Sequence, residues 1–262
     1  MKISAFITGY WHFNLFALIL AGILVVFHLV TSKNFSKSKQ ILFYSGIVLL
    51  LLVTNSPLSF LAHGYLFSIH MIAHITLLLI VPPMLLAGMN PVLLEKLHQS
   101  VFRKTGEILF TAPVAWLLGM AAMYIWHIPA LFGALEHSPV LHDLEILSLL
   151  ILGIIFIWPV YSPIPWKRLE PLQSALYLFI ACTGCTVLGI LITFAPPSLY
   201  IPYMHGQSSA VWEMVRNDWG ITPAADQQAG GLIMWVPACL IYVTNIMLIL
   251  AGFFNQPYTS ED

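Results

Sequence analysis

Long apolar runs separated by short polar connections organise this chain from end to end. They lie near residues 13–30, 41–60, 64–88, 111–127, 140–161, 172–195 and 229–254. Each is close to the roughly 17–25 residues that a helix needs to cross a bilayer. Lipid offers no partner to backbone N–H and C=O groups, so runs of this length are satisfied as helices. The pattern predicts an all-α integral membrane protein, a seven-transmembrane helix bundle forming one domain over residues 1–262. One connection is long, at about 196–228, and its Trp212 and Trp219 suit an interfacial flap over one end of the bundle.

Composition agrees with that pattern. Hydrophobic residues make up 59% of the 262 and charged residues 8%, with a mean hydropathy of +0.88, whereas soluble domains carry about a quarter charged residues. Membrane lipid is the first partner implied. A net charge of −1 argues against nucleic acid as another.

Orientation follows from Lys and Arg, which favour cytoplasmic loops. Seven spans place Lys33, Lys37, Lys39, Lys96, Arg103, Lys104, Lys167 and Arg168 on one side and only Lys2 and Arg216 on the other. The N-terminus is therefore expected outside and the C-terminus in the cytoplasm. The first segment is expected to stay as a helix, because no small-x-small cleavage site precedes the basic loop at Lys33.

On that topology eight of the ten histidines fall at the outer face. His70 and His74 share one side of the third predicted helix, four residues apart. If that helix enters near Gly64, they lie roughly 9 and 15 Å along it. Met123 and His127 are likewise four apart at the outer end of the fourth helix. His142 and Glu145 lie three apart at the start of the fifth. Ionisable side chains within a membrane are costly and mark functional sites, and histidine is the commonest metal ligand. These residues are candidate metal ligands. His12, His63, His137 and His205 read as interfacial, and His28 and His98 as structural. Asp226 stands where the N-cap of the last helix is expected.

Cys182-Thr183-Gly184-Cys185 has the spacing of soft-metal motifs. It falls mid-helix beside Ala181, Gly184 and Gly189, where small residues let helices approach closely, so it reads as packing. Pro82-Pro83 is expected to interrupt the third helix.

Several segments taken together resemble the CtaG-type cytochrome c oxidase assembly family. They are His70-Met71-Ile72-Ala73-His74 running into Pro82-Pro83, Trp126-His127-Ile128-Pro129-Ala130-Leu131, and the run from Ser138-Pro139 through His142 and Glu145 to Trp158-Pro159. Thr193-Phe194-Ala195-Pro196 and Asp226-Gln227-Gln228 followed by Gly231 to Pro237 complete the pattern. The resemblance implies a multi-pass protein of the bacterial cell (inner) membrane that helps to assemble cytochrome c oxidase, with the oxidase subunits as partners and no enzymatic activity. It implies copper delivery or copper-centre formation as the role. By position it carries over His70, His74, His127, His142, Glu145 and Asp226. Ile146 departs from the pattern, since many members have a second histidine there. The residues themselves leave copper, zinc and haem open. A haem protein for electron transfer, with two histidines on different helices as axial ligands, is the alternative reading, and a histidine-box diiron oxygenase a weaker one.

Overall fold

The structure is a computed structural model that describes residues 3–32, 35–99, 103–135, 137–164, 168–197, 199–200, 203 and 209–255. His205 and the side chain of His98 lie outside the described residues. Within them the chain is helical, with no strand. In order, the helices are α1 (Ile3–Gly9), α2 (Leu15–Thr31), α3 (Lys37–Asn55), α4 (Pro57–Ala62), α5 (Phe67–Ile75), α6 (Val81–Ala87) and α7 (Pro91–Gln99). They continue as α8 (Arg103–Leu109), α9 (Ala112–Trp126), α10 (Pro129–Leu135), α11 (Pro139–Tyr161), α12 (Pro171–Phe194), α13 (Ala210–Glu213) and α14 (Pro223–Phe254).

Five helical stretches are long and apolar enough to cross a membrane: Lys37–Asn55, Phe67–Ala87, Pro139–Tyr161, Pro171–Phe194 and Pro223–Phe254. A sixth is possible by length if α9 and α10, bent by 71° at their junction, form one span. The bend has a local cause, since Pro129 disfavours helical geometry at Ile128 and starts a new helix. α2 is apolar but only 17 residues long. Its exposed Leu15, Ile19, Ile23, Val26 and Val30 repeat at helical spacing, a face that a water-soluble helix would bury. On α12 the exposed Leu172, Leu176, Phe179, Ile180, Val187, Leu191 and Phe194 do the same.

α5 and α6 form one continuous helix with a wide π-helical segment, Thr76–Ile80, between them. The two prolines account for it. Pro82 and Pro83 have no N–H for the carbonyls of Leu78 and Leu79, and the Val81 N–H instead reaches back five residues to Thr76 O. The helix thus continues through the prolines rather than ending. It starts at Phe67, three residues later than the sequence suggested, after a turn in which Gly64 adopts φ of 80°. His70 therefore lies in the first turn, nearer the helix mouth than expected.

α12 and α14 pack most closely. A Cβ on Gly189 would stand 2.8 Å from Gly231 O, and one on Gly231 would stand 2.6 Å from Thr193 N, so only glycine allows the approach. Cys182 donates to Cys239 Sγ at 2.8 Å and Cys185 to Met234 O at 2.9 Å across the same interface. The Cys-x2-Cys motif thus faces a helix–helix seam with its thiols free. His28 is structural too, stacked on Phe43 at 4.2 Å with Nδ1 3.0 Å from Gly88 O.

The long connection packs back onto the bundle. Val211, Met214 and Val215, on α13 and the π-helical Met214–Asp218 that follows it, bury with Phe6 of α1 and with Leu61 and Leu66. Arg216 fastens the connection by donating to the carbonyls of Tyr65, Tyr203 and Ile221 at 2.8–3.0 Å, while its guanidinium lies 4.4 Å above the Trp212 ring. Arg216, one of the two basic residues expected on the side opposite the other eight, thus serves the fold.

Candidate metal centre

Three helices and one turn bring the candidate ligands together. α5 supplies His70 and His74 one turn apart on its buried face, and α11 presents Glu145 opposite them. His74 Nε2 lies 2.7 Å and His70 Nε2 3.1 Å from Glu145 Oε1, and the two imidazole nitrogens are 2.9 Å apart. These atoms form the one cluster of at least three His, Cys, Asp or Glu donors with metal-binding spacing among the described residues. An ion with tetrahedral bonds of about 2.0–2.1 Å holds its ligand atoms roughly 3.3 Å apart, so the triangle needs only slight expansion to take one. The side chains are 8%, 4% and 2% exposed for His70, His74 and Glu145. His74 Nδ1 is buried without a hydrogen-bond partner.

The start of α11 is set by Ser138, whose hydroxyl accepts from the Leu141 N–H at 3.3 Å, with Pro139 at the first position. This register brings His142 Nδ1 to 3.1 Å from Glu145 Oε2. His142 Nε2 faces His63 Nε2 at 3.0 Å, and His63 Nδ1 donates to Ser59 O at 2.6 Å. His63, expected as an interfacial residue, is thus tied to the carboxylate cluster through His142. Burial and the neighbouring His142 push its pKa down to about 4. His12 is exposed, its ring centroid 5.4 Å from that of His63, and His137 is exposed as well.

His127 sits at the break between α9 and α10. Its Nδ1 donates to Met123 O at 2.5 Å, and Tyr200 donates its hydroxyl to His127 O at 3.0 Å. Its ring lies edge-on to His74, 4.9 Å between centroids. The sulfur beside His127 Nε2 is that of Met71, at 3.0 Å. Met123, paired with His127 by spacing, gives His127 its backbone carbonyl. Side chains a turn apart on α9 share a face, but the sulfur from α5 arrives through tertiary packing that spacing cannot reveal.

Asp226 is not part of the His70–His74–Glu145 triangle. Its Oδ2 accepts from Phe67 N at 2.8 Å, and its Oδ1 from Ser68 N at 3.1 Å and Ser68 Oγ at 2.6 Å. The carboxylate therefore caps α5, where the helix dipole favours a negative charge. The expectation that it caps its own helix is corrected, because Thr222 accepts from the Ala225 N–H and performs that role for α14.

An aromatic wall closes the cluster on one side. Phe132 lies edge-on to His70 at 4.9 Å, Phe67 stacks on Tyr200 at 4.4 Å, and Tyr203 donates to Ala62 O. Two imidazoles and a carboxylate, with a further imidazole and a thioether beside them, form a donor set suited to a transition-metal ion.

No curated protein and no solved structure matches this chain. The model of one protein family, described as cytochrome c oxidase caa3 assembly factor (Caa3_CtaG), matches residues 18–256, and with that match over nearly its whole length the chain belongs to this family.

Proposed function

We propose that the protein is a non-enzymatic assembly factor that holds copper as cargo between His70, His74 and Glu145 and passes it to a subunit of cytochrome c oxidase. The observation that carries this reading is the buried triangle of two imidazoles and one carboxylate, 2.7–3.1 Å on its sides, with an unpartnered imidazole nitrogen beside it. Sulfur favours copper over harder cations, and Met71 Sδ lies 3.0 Å from His127 Nε2, next to the triangle. His127 and His142 complete the neighbourhood, and Met123 and Asp226 hold it in shape.

The haem alternative is less well supported. Axial ligands from different helices lie on opposite faces of a macrocycle, and the neighbouring histidines from different segments stand too close to admit one, with ring centroids 4.9 Å apart for His74 and His127 and 4.2 Å for His63 and His142.

We further read the chain as one domain of seven spans, with α2 and the bent α9–α10 pair each counted as a span, in the bacterial cell membrane. The N-terminus then lies outside and the C-terminus in the cytoplasm. The reading follows from the distribution of Lys and Arg. It sets the triangle near the outer surface, and the cargo leaves on that side.

The test is metal retention by the purified protein. Removing both histidines alone would leave Glu145 as a buried, poorly paired charge, at a cost of several kcal/mol. The variant therefore combines His70→Ala and His74→Ala with Glu145→Gln. The copper held at the buried triangle is expected to be lost at an unchanged elution volume, and a copper content equal to the wild type's in that variant would end the proposal.

A further inference from the structure

His63 and His142 approach each other through Nε2 atoms 3.0 Å apart, and the other nitrogen of each ring is already committed. The Ser59 carbonyl can only accept, so His63 carries its proton on Nδ1. Ionised Glu145 also only accepts, so His142 carries its proton on Nδ1 too. Each neutral ring then turns a bare lone pair toward the same gap. Two acceptors at that distance repel unless a proton or a metal cation lies between them. The ring planes are inclined by 74°, and the 3.0 Å separation is close to the roughly 3.3 Å edge of a tetrahedral ion.

We propose that His63 and His142 form a second, outer site for a transition-metal cation, coupled through Glu145 to the buried triangle. Glu145 directs Oε1 at His70 and His74 and Oε2 at His142. One carboxylate is thus a donor to the inner ion and the hydrogen-bond acceptor that orients the outer histidine, an arrangement common behind metal-bound imidazoles. Exposure falls along the same line, from His12 at the surface through His142 at 16% to Glu145 at 2%. An ion arriving from solvent meets the outer pair first. With only two protein donors and open remaining positions, that pair holds an ion more weakly than the triangle does, which suits transit. The inner half of this scheme rests on the function proposed above, whereas the outer pair stands on its own geometry.

The experiment titrates the full-length protein in detergent with Cu(II) alone, counting bound ions per chain and recording the electron paramagnetic resonance spectrum. The wild type is expected to bind two ions of unequal affinity, with mutual broadening of their signals. His63→Ala should lose the weaker ion and the broadening while keeping the tighter one, and His63→Gln, which keeps a polar side chain near Ser59, should do the same. His74→Ala should lose the tighter ion and keep the outer one. Two ions retained in both His63 variants would overturn the proposal. So would a single wild-type ion insensitive to His63, which assigns the gap to a shared proton. Loss of one ion in the His63 variants with no effect of His74→Ala would uphold the outer site and reject the buried one.

Discussion

Gly153 packs against the main-chain carbonyl of Leu78, so closely that a Cβ there would stand 2.6 Å from the oxygen and 2.7 Å from Pro82 Cγ. Leu78 O is one of the carbonyls that the double proline deprives of an N–H. Gly153→Ala is expected to force α11 away from α5 and α6 at a cost of about 1–3 kcal/mol. Because Glu145 rides on α11, copper should also be held less tightly. Thermal unfolding in detergent and copper titration measure the two effects, and a variant as stable as the wild type would show that the contact yields easily.

Asp226 separates a capping role from a ligand role. Asp226→Asn keeps one acceptor oxygen for the Phe67 and Ser68 N–H groups, removes the charge and turns the other carboxylate oxygen into an NH2 donor. Replacing a capping side chain outright by Ala costs typically about 1 kcal/mol. The Asn variant should keep its copper stoichiometry with at most a small fall in melting temperature, and Asp226→Ala should fall further. Loss of the ion from a well-folded Asn variant would make Asp226 a ligand.

Sidedness is open to chemical labelling. In a background with Cys182, Cys185 and Cys239 replaced, His137→Cys should react with an impermeant thiol reagent added to intact cells. His98→Cys should react only after the cells are opened. The opposite pattern would turn the bundle over and direct the metal site to the cytoplasm.

The thiols predict tolerance. Cys182 and Cys185 line the α12–α14 seam, where small residues suffice for close approach. Replacing both by Ala should leave the yield of active oxidase near normal, while His74→Ala should lower it toward that of cells lacking the protein. A strong defect in the cysteine variant, corrected by added copper, would move part of the copper path into the seam.

The helices were legible because lipid imposes a length on each apolar run, and α11 and α12 begin and end within a residue of where the runs do, whereas the run at 41–60 is split at Ser56 into α3 and α4. The pairing of His70 with His74 was legible from helical spacing, and Glu145 from its place one turn after His142. What could not be read were contacts between segments. Nothing local announces that Asp226 caps α5, that the sulfur beside His127 belongs to Met71, or that His63 reaches His142. The π-helical turn was hidden for another reason: Pro82-Pro83 signals interruption, whereas the chain absorbs the lost hydrogen bonds by winding more widely.

The cap on α5 has a consequence for timing. Phe67 bonds to a carboxylate 159 positions further along, and the nearer partner of His70 and His74 lies 75 and 71 positions away. During synthesis the two histidines enter the membrane well before Glu145, and the helix bearing them stays uncapped until the final segment emerges. A half-made chain therefore holds neither the full ligand set nor a fixed helix start. Under the proposed copper role, the complete site is in place only once translation has passed Asp226, so an unfinished chain would not sequester the ion.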